Sequence, residues 1–359
     1  MKKHLHKLIL FSATACLSAC TAQEPLTDYV DPRIGTAHSR WFFFTPAAVP
    51  FGMAKLAPTT DGHLGNPNGW EAVGYDSRHT SIEGFANFHE FQVGGVVVAP
   101  TVGELQTVPG PLDNPDAGYR SRFDKKDEVA RPGYYSVLLK DYGVKAELTA
   151  TERVGFHRYT FPATEEANLI FNIGTRMGES GPVRDASVTY TDDGRIEGWV
   201  VTEPAYVDIY QKGATVTMYF SAVLDAEPAA WGAFSGEQTF AGERSRTGVG
   251  AGLYLRFDTR ERQQVGLKIG LSYTSVENAR LNLEKEAARK DFDRVRREAN
   301  DTWEEALGRL RVEGGLHDDR VKFYTGLFHA LLGRGLASDV NGAYPANDGT
   351  VGQIALDGA

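Results

Sequence analysis

Between residues 28 and 275 the apolar residues fall in short runs, many alternating with polar ones, as in Thr215-Val216-Thr217-Met218-Tyr219-Phe220. A period of two puts every second side chain on one face of a strand. Runs of this kind lie at 51–56, 93–99, 134–139, 144–150, 154–161, 169–173, 187–191, 196–201, 207–220, 247–257 and 264–273. Turn chemistry separates them: Asp192-Asp193-Gly194 reads as a hairpin turn, and Arg131-Pro132-Gly133 and Asp141-Tyr142-Gly143 do similar work. Many short strands with no helices between them predict a mainly β fold. The expected architecture is one large antiparallel β-sandwich over 28–275 with about ten to fourteen strands.

At Ser275 the period changes. Ala279, Leu283, Ala287, Phe292, Val295, Ala299, Trp303 and Leu307 recur at helical spacing, which predicts a linker helix over 276–315 with stops at Gly308 and Gly314-Gly315. Its outer face interleaves acids with bases, the pattern of a solvated helix face rather than a nucleic-acid patch. A second helix is predicted over 318–333, with Val321, Tyr324, Leu327, Phe328, Leu331 and Leu332 on its apolar side. Little of the chain is left to bury that stripe, and such a surface marks a partner. Residues 316–359 are therefore expected to meet a partner through that stripe.

Composition adds bounds. The 359 residues are 42% hydrophobic and 24% charged, ordinary for a globular protein, with a formal charge of −9. No basic cluster offsets that charge, which argues against nucleic acid as a partner. Lys2, Lys3 and Lys7 precede a short apolar run at 8–17, too short for a stable membrane span. The segment ends in Leu17-Ser18-Ala19-Cys20, similar to a bacterial lipobox. The expectation is a lipoprotein signal peptide over 1–19, a lipidated tether over 20–27, and an exported chain held to a Gram-negative outer membrane through Cys20. An ordinary signal peptide is the other reading. Cys16 leaves with the leader, so no internal disulfide and no Cys-ligated zinc site can form.

Candidate chemistry concentrates in residues 49–100. About thirty-five polar, turn-rich residues there carry Trp70, Tyr75, Phe85, Phe88 and Phe91. Aromatic planes beside carboxylate, amide and imidazole groups suit a sugar, whose C–H face packs on a ring while its hydroxyls take hydrogen bonds. Trp70 is the leading sugar contact; a buried sandwich tryptophan is the other reading. Glu71, Asp76 and Arg78 could bind hydroxyls or sit as solvated loop charges, and Arg78 could clamp an anion. Glu90 beside His89 suits sugar binding better than acid catalysis. His38 and Arg40 precede the run 41–46, read as core. Asp339-Val340-Asn341-Gly342 lacks the later acidic ligands of a calcium loop and reads as a turn.

These motifs resemble glycoside hydrolase family 92, the calcium-dependent exo-α-mannosidases. The resemblance rests on the YVDPRIGT segment (Tyr29 to Thr36), PFGM (Pro50 to Met53), Leu56 to Thr60, and the run Gly74-Tyr75, Ile82, Gly84-Phe85 and His89. Two stretches depart from the family pattern: GYDS (Gly74 to Ser77) stands where many members read GYHY, and ANFHEFQVG (Ala86 to Gly94) where many read SHTHLSGTG. Both are loop positions that bear on linkage and substrate.

The resemblance implies a galactose-mutarotase-like sandwich followed by a helical linker and an (α/α) barrel, which this chain only begins. It implies inverting hydrolysis of terminal α-linked mannose in N-glycans or mannans. It lifts His89 by its place in the motif, and the substrate-binding candidates are then Trp70, Glu71, Tyr75, Asp76, Arg78, His89 and Glu90. The acid and base, and most Ca²⁺ ligands, are implied to lie in the barrel, so no catalytic residue and no metal ligand is assigned here. The 359 residues alone are expected to be inactive. Two other readings stay open: a non-catalytic surface glycan-binding lipoprotein, and a glycosidase of different specificity, such as one acting on mannose-1-phosphate diesters.

Overall fold

The computed structural model describes residues 24–37, 43–60, 74–89, 94–175, 181–204, 210–333 and 335–355. Two antiparallel sheets form the sandwich. In spatial order the first carries Ala57–Thr59, Gly84–Ala86, Val97–Val102, Ala167–Asn172, Ala251–Phe257, Ala230–Ser235 and Gln238–Ala241. The second carries Ser245–Thr247, Val183–Tyr190, Ile196–Thr202, Val216–Leu224, Gln264–Ser272, Val154–Thr160, Val144–Ala150, Tyr134–Leu139 and Val129–Arg131. Inward side chains of both sheets share one core. Phe85, Val98, Leu169 and Leu253 come from the first sheet, and Leu148, Tyr159, Phe220 and Ile269 from the second. Alternation produces this: Met218 and Phe220 are buried, whereas Thr217 and Tyr219 beside them are half-buried.

Four expected runs differ from the structure: 247–257, 51–56, 93–99 and 207–220, the last of which is strand only from Val216. Ala57–Thr59 and Ser245–Thr247, each three residues long, are too short to show a period, so the sheets hold more strands than expected. The run 247–257 is two strands. Thr247 ends one in the second sheet, Ala251 starts one in the first, and Gly248 and Gly250, with φ of 101° and 79°, turn the chain between layers. The run 51–56 is a turn followed by irregular chain, with Leu56 bridged to Ala47. The strand expected at 93 begins at Val97.

Three helices follow, α1 (Val276–Ala287), α2 (Phe292–Leu307) and α3 (His317–Leu332). The expected single linker helix is thus two. The Asp291 carboxylate accepts from Arg294 N at 2.7 Å and starts a new helix. The Lys268 ammonium donates to Ala287 O at 3.0 Å and Lys290 O at 2.7 Å, closing the C-terminal end of α1. α1 lies on the outer face of the second sheet, where Leu283 and Ala287 pack with Val154, Phe156 and Val295. Gly270 makes room for it; a Cβ there would sit 2.7 Å from that of Leu283.

The apolar stripe of α3 is better covered than its sequence context suggested. Tyr324, Phe328 and Leu332 pack with Trp303 and Leu307 of α2 and with Leu26, Tyr29, Val30 and Ala48. The N-terminal segment folds back to supply this cover. The Glu304 carboxylate accepts from Leu26 N at 2.9 Å and Thr27 N at 3.0 Å, and Asp31 N donates to Thr325 Oγ1 at 3.0 Å. The YVDPRIGT segment is therefore a clamp between sandwich and helices. Leu316 and Phe323 remain exposed. Glu304→Ala removes both charge-assisted acceptors and should cost about 2 kcal/mol in urea denaturation. A loss below about 0.5 kcal/mol would contradict the clamp.

Asp339 is buried and engaged. It accepts from Ser272 Oγ at 3.0 Å and Asn282 Nδ2 at 2.7 Å, and from Thr274 Oγ1. Gly342 N closes a turn on Asp339 O at 2.8 Å. This carboxylate staples the C-terminal segment to the sandwich and to α1. No helix among the described residues is long and apolar enough to cross a membrane.

Candidate functional site

One end of the sandwich gathers the segments flagged for chemistry and meets the exit of α3. Phe51 N donates to Leu331 O at 2.9 Å, and Leu336 N donates to Phe51 O at 2.8 Å. Lys55 N donates to Asn87 O, and His89 N donates to Lys55 O, both at 3.1 Å. Phe44 stacks on the His89 ring with centroids 4.6 Å apart, and the preceding Phe43 meets His329 of α3 at 4.3 Å. Thr60 N donates to Gly74 O at 2.7 Å, so the chain ends flanking residues 61–73 lie side by side. Ser77 N donates to Thr36 O at 3.2 Å, which brings the YVDPRIGT segment to the same place.

A buried polar pedestal supports that junction. Glu83 accepts from Thr59 Oγ1 at 2.7 Å and from Arg120 Nη2 at 3.0 Å, and Arg120 Nη1 donates to Thr60 O. Both charged side chains are almost fully buried, 7% and 1% exposed. A buried pair of this kind is costly to break because the surviving charge is stranded. Thr60 Oγ1 in turn lies 2.9 Å from His79 Nδ1 and accepts from Asp76 N at 3.0 Å.

The predicted residues divide as follows. Trp70, Glu71, Glu90 and Cys20 lie outside the described residues, as do His38, Arg40 and residues 41–42 of the aromatic run. Phe44, Thr45 and Pro46 at the end of that run are buried. Tyr75 is buried, and its hydroxyl donates to Glu128 Oε1 at 2.8 Å; Tyr135 donates to the same oxygen at 2.7 Å. Burial and the Glu128 charge raise the Tyr75 pKa. In this structure Tyr75 anchors the loop from beneath instead of facing solvent. Asp76 and Arg78 form an ion pair in which Asp76 Oδ1 also accepts from Arg78 N at 2.8 Å. Arg78 is the more exposed partner, which leaves its guanidinium at the surface.

His89 is 0% exposed; its ring lies close to the Pro58 carbonyl, but neither ring nitrogen makes a full hydrogen bond among the described residues. Burial pushes its pKa down to about 3. It is a neutral imidazole, able to act by hydrogen bonding and not by charge. An orphaned buried polar group costs about 1–3 kcal/mol, so this position gains from a ligand hydroxyl or water. Its neighbour Asn87 is fully engaged. Asn87 Nδ2 donates to Val96 O at 2.8 Å, and Asn87 Oδ1 accepts from His157 Nε2 at 2.9 Å, while His157 Nδ1 accepts from Tyr159 at 2.7 Å. That chain of bonds fixes the backbone from which His89 projects.

Sequence reading missed Lys55, Glu83, Asn87, Arg120, Glu128 and His157. Their partners lie far away in the chain, as with Glu83 and Arg120 across 37 residues, so no local pattern marks them. Among the described residues, no three His, Cys, Asp or Glu side chains converge as a metal site requires. These residues alone do not make a calcium site.

Residues 29–272 match the glycosyl hydrolase family 92 N-terminal domain, and residues 278–356 match the family 92 catalytic domain. The α-mannosidase BT3965 of Bacteroides thetaiotaomicron, a family GH92 member, superposes with a TM-score of 0.84 at 27% identity, covering 92% of this chain and 44% of that one. The same mannosidase in complex with mannoimidazole gives a TM-score of 0.83. The gh92 family glycosyl hydrolase ccman5 gives 0.78 at 26% identity over 93% of this chain and 44% of its own. An uncharacterized secreted glycosidase of Arthroderma benhamiae is 26% identical over 334 residues, covering 85% of this chain and 41% of the relative. The chain thus spans less than half the length of these relatives.

Proposed function

Because the chain belongs to glycosyl hydrolase family 92, we propose that it forms part of a glycosidase that removes terminal α-linked mannose from N-glycans or mannans. The observation that carries this reading is 27% identity to an α-mannosidase over 92% of the chain. The proposed reaction inverts configuration. A base-activated water attacks C1 while an acid protonates the leaving oxygen, which requires two carboxyl groups about 6.5–9.5 Å apart. Neither is assigned to this chain. Its part is to bind and orient the sugar. In this proposal Trp70 stacks on the ring, Glu71, Asp76, Arg78 and Glu90 hydrogen-bond hydroxyls, and Tyr75 and His89 support them from below. Calcium dependence belongs to the same proposal, with ligands drawn from outside the described residues.

The relative described as secreted supports export of this chain as well. Lipidation of Cys20 at a Gram-negative outer membrane is the finer proposal, and metabolic labelling with a fatty acid reads it directly. A preference for mannose-1-phosphate diesters is the second reading, favoured by the GYDS stretch with an exposed Arg78 guanidinium for an anion.

The test uses the protein expressed from its complete gene. It should hydrolyse an aryl α-mannoside or an α-mannobiose, lose turnover on chelation, and regain it with Ca²⁺. Turnover of phosphodiesters alone would select the second reading. Binding of mannosides without turnover of either substrate would leave a glycan-binding lipoprotein. Chelator-resistant turnover would remove calcium from the account.

A further inference from the structure

Two non-glycine residues among those described adopt left-handed backbone, Phe51 with φ 54° and Val96 with φ 53°. Such a conformation costs a bulky residue about 1–2 kcal/mol. At Val96 the return is visible: the residue is fully buried, and its carbonyl takes the Asn87 amide. At Phe51 the packing return is only partial, because the side chain is 48% exposed. A glycine would hold the same turn without strain. Strain held at an exposed aromatic ring points to the ring itself as the useful object.

The ring is also held in place. Its backbone is pinned on both sides by Leu331 O and Leu336 N. The ring lies against Gly333, where an added Cβ would sit 2.8 Å from its Cδ1. Gly333 and Gly335 are left-handed, with φ of 49° and 72°. A Cβ at Gly335 would strike Gly52 O and approach the Lys55 ammonium to 2.7 Å. The exit of α3 is thus shaped to let the turn and its ring stand at the seam between sandwich and helices. Lys55, whose carbonyl takes the His89 amide, is 1% exposed directly beneath. Seams between structural units are where ligand sites form.

We propose that Phe51 is a binding residue of the mannoside site, a preorganised aromatic platform for the C–H face of a sugar ring. This rests on the functional reading above and adds a residue to it. The test compares Phe51→Gly, Phe51→Leu and Phe51→Tyr in the protein from its complete gene, measuring kcat, KM and Tm. Phe51→Gly should raise KM for an α-mannoside roughly tenfold while Tm holds or rises, since the strain leaves with the ring. Phe51→Tyr should keep KM within about threefold, and Phe51→Leu should resemble the glycine variant. A lower Tm with unchanged KM in Phe51→Gly overturns the proposal and makes the ring a seal. Wild-type KM in Phe51→Leu overturns it too, whatever the Tm. Should the wild type hydrolyse no mannoside, the functional reading fails separately. Affinity on a glycan array then decides Phe51 alone: weaker binding by Phe51→Gly sustains the platform, and equal binding removes it.

Discussion

Trp303→Ala should cost about 4 kcal/mol of stability, most of it at the junction between helices and sandwich. Trp303 is 0% exposed at the centre of the cluster that joins α2, α3 and the N-terminal segment. Its ring lies 4.5 Å from that of Phe328, and its Nε1 donates to Ala48 O at 2.7 Å. Truncation opens a large cavity and strands a buried carbonyl, two penalties that add. Trp303→Phe should cost roughly half as much, since it keeps the ring and loses the bond. The damage should be local. Amide exchange should quicken in Leu26–Tyr29 and His317–Leu332 while the central strand Ala167–Asn172 keeps its protection. A uniform loss across the sheets, or a cost under about 1 kcal/mol, would contradict this view of the junction.

Acid should weaken the fold well before carboxylates titrate. Burial lowers the pKa of His89 and His157 to about 3 and that of His329 to about 4, from an ordinary value of 6.5. Above pH 6.5 these groups are neutral in both states and contribute no pH dependence. Below it the unfolded chain takes up protons that the folded chain refuses, so stability falls as pH drops toward 4. Each histidine contributes at most about 1.4 kcal/mol per pH unit in that window. Carboxylates act lower. Burial would raise the Glu147 pKa, but Arg158 and Tyr134 together hold it at about 2, so its contribution is lost between its ordinary 4.5 and about 2. Urea midpoints should therefore decline between pH 6.5 and 5, and His157→Gln should flatten the slope by about one proton. A flat profile from pH 7.5 to 5 would contradict the burial of these rings.

Most of the sandwich was legible because its strands alternate, and alternation is a local signal. Elements that depend on distant partners were not. The break between α1 and α2 falls inside an apolar period that runs on from Ala287 to Phe292, and the Lys268 side chain that closes α1 comes from the sheet. Residues 51–56 look like a strand because Phe51, Met53 and Leu56 are apolar, yet the chain turns there under the exit of α3. Lys55 is the charged residue of that run, and it is buried. The candidate site was legible as a region through its motifs and aromatic content. The role of Tyr75 was not, because Glu128, the group that holds it, lies 53 residues away. His89 carried a motif signal, but its complete burial is visible only in three dimensions.

The account turns on one wall of a mannoside pocket being built by this end of the sandwich. A crystal structure of the protein from its complete gene, soaked with an unhydrolysable α-mannoside analogue, tests that directly. The sugar ring should lie within about 4 Å of Phe51 or of side chains between Gly69 and Glu90. A sugar enclosed wholly by other parts of the protein, with Trp70 and Glu71 packed inside the sandwich, would contradict it.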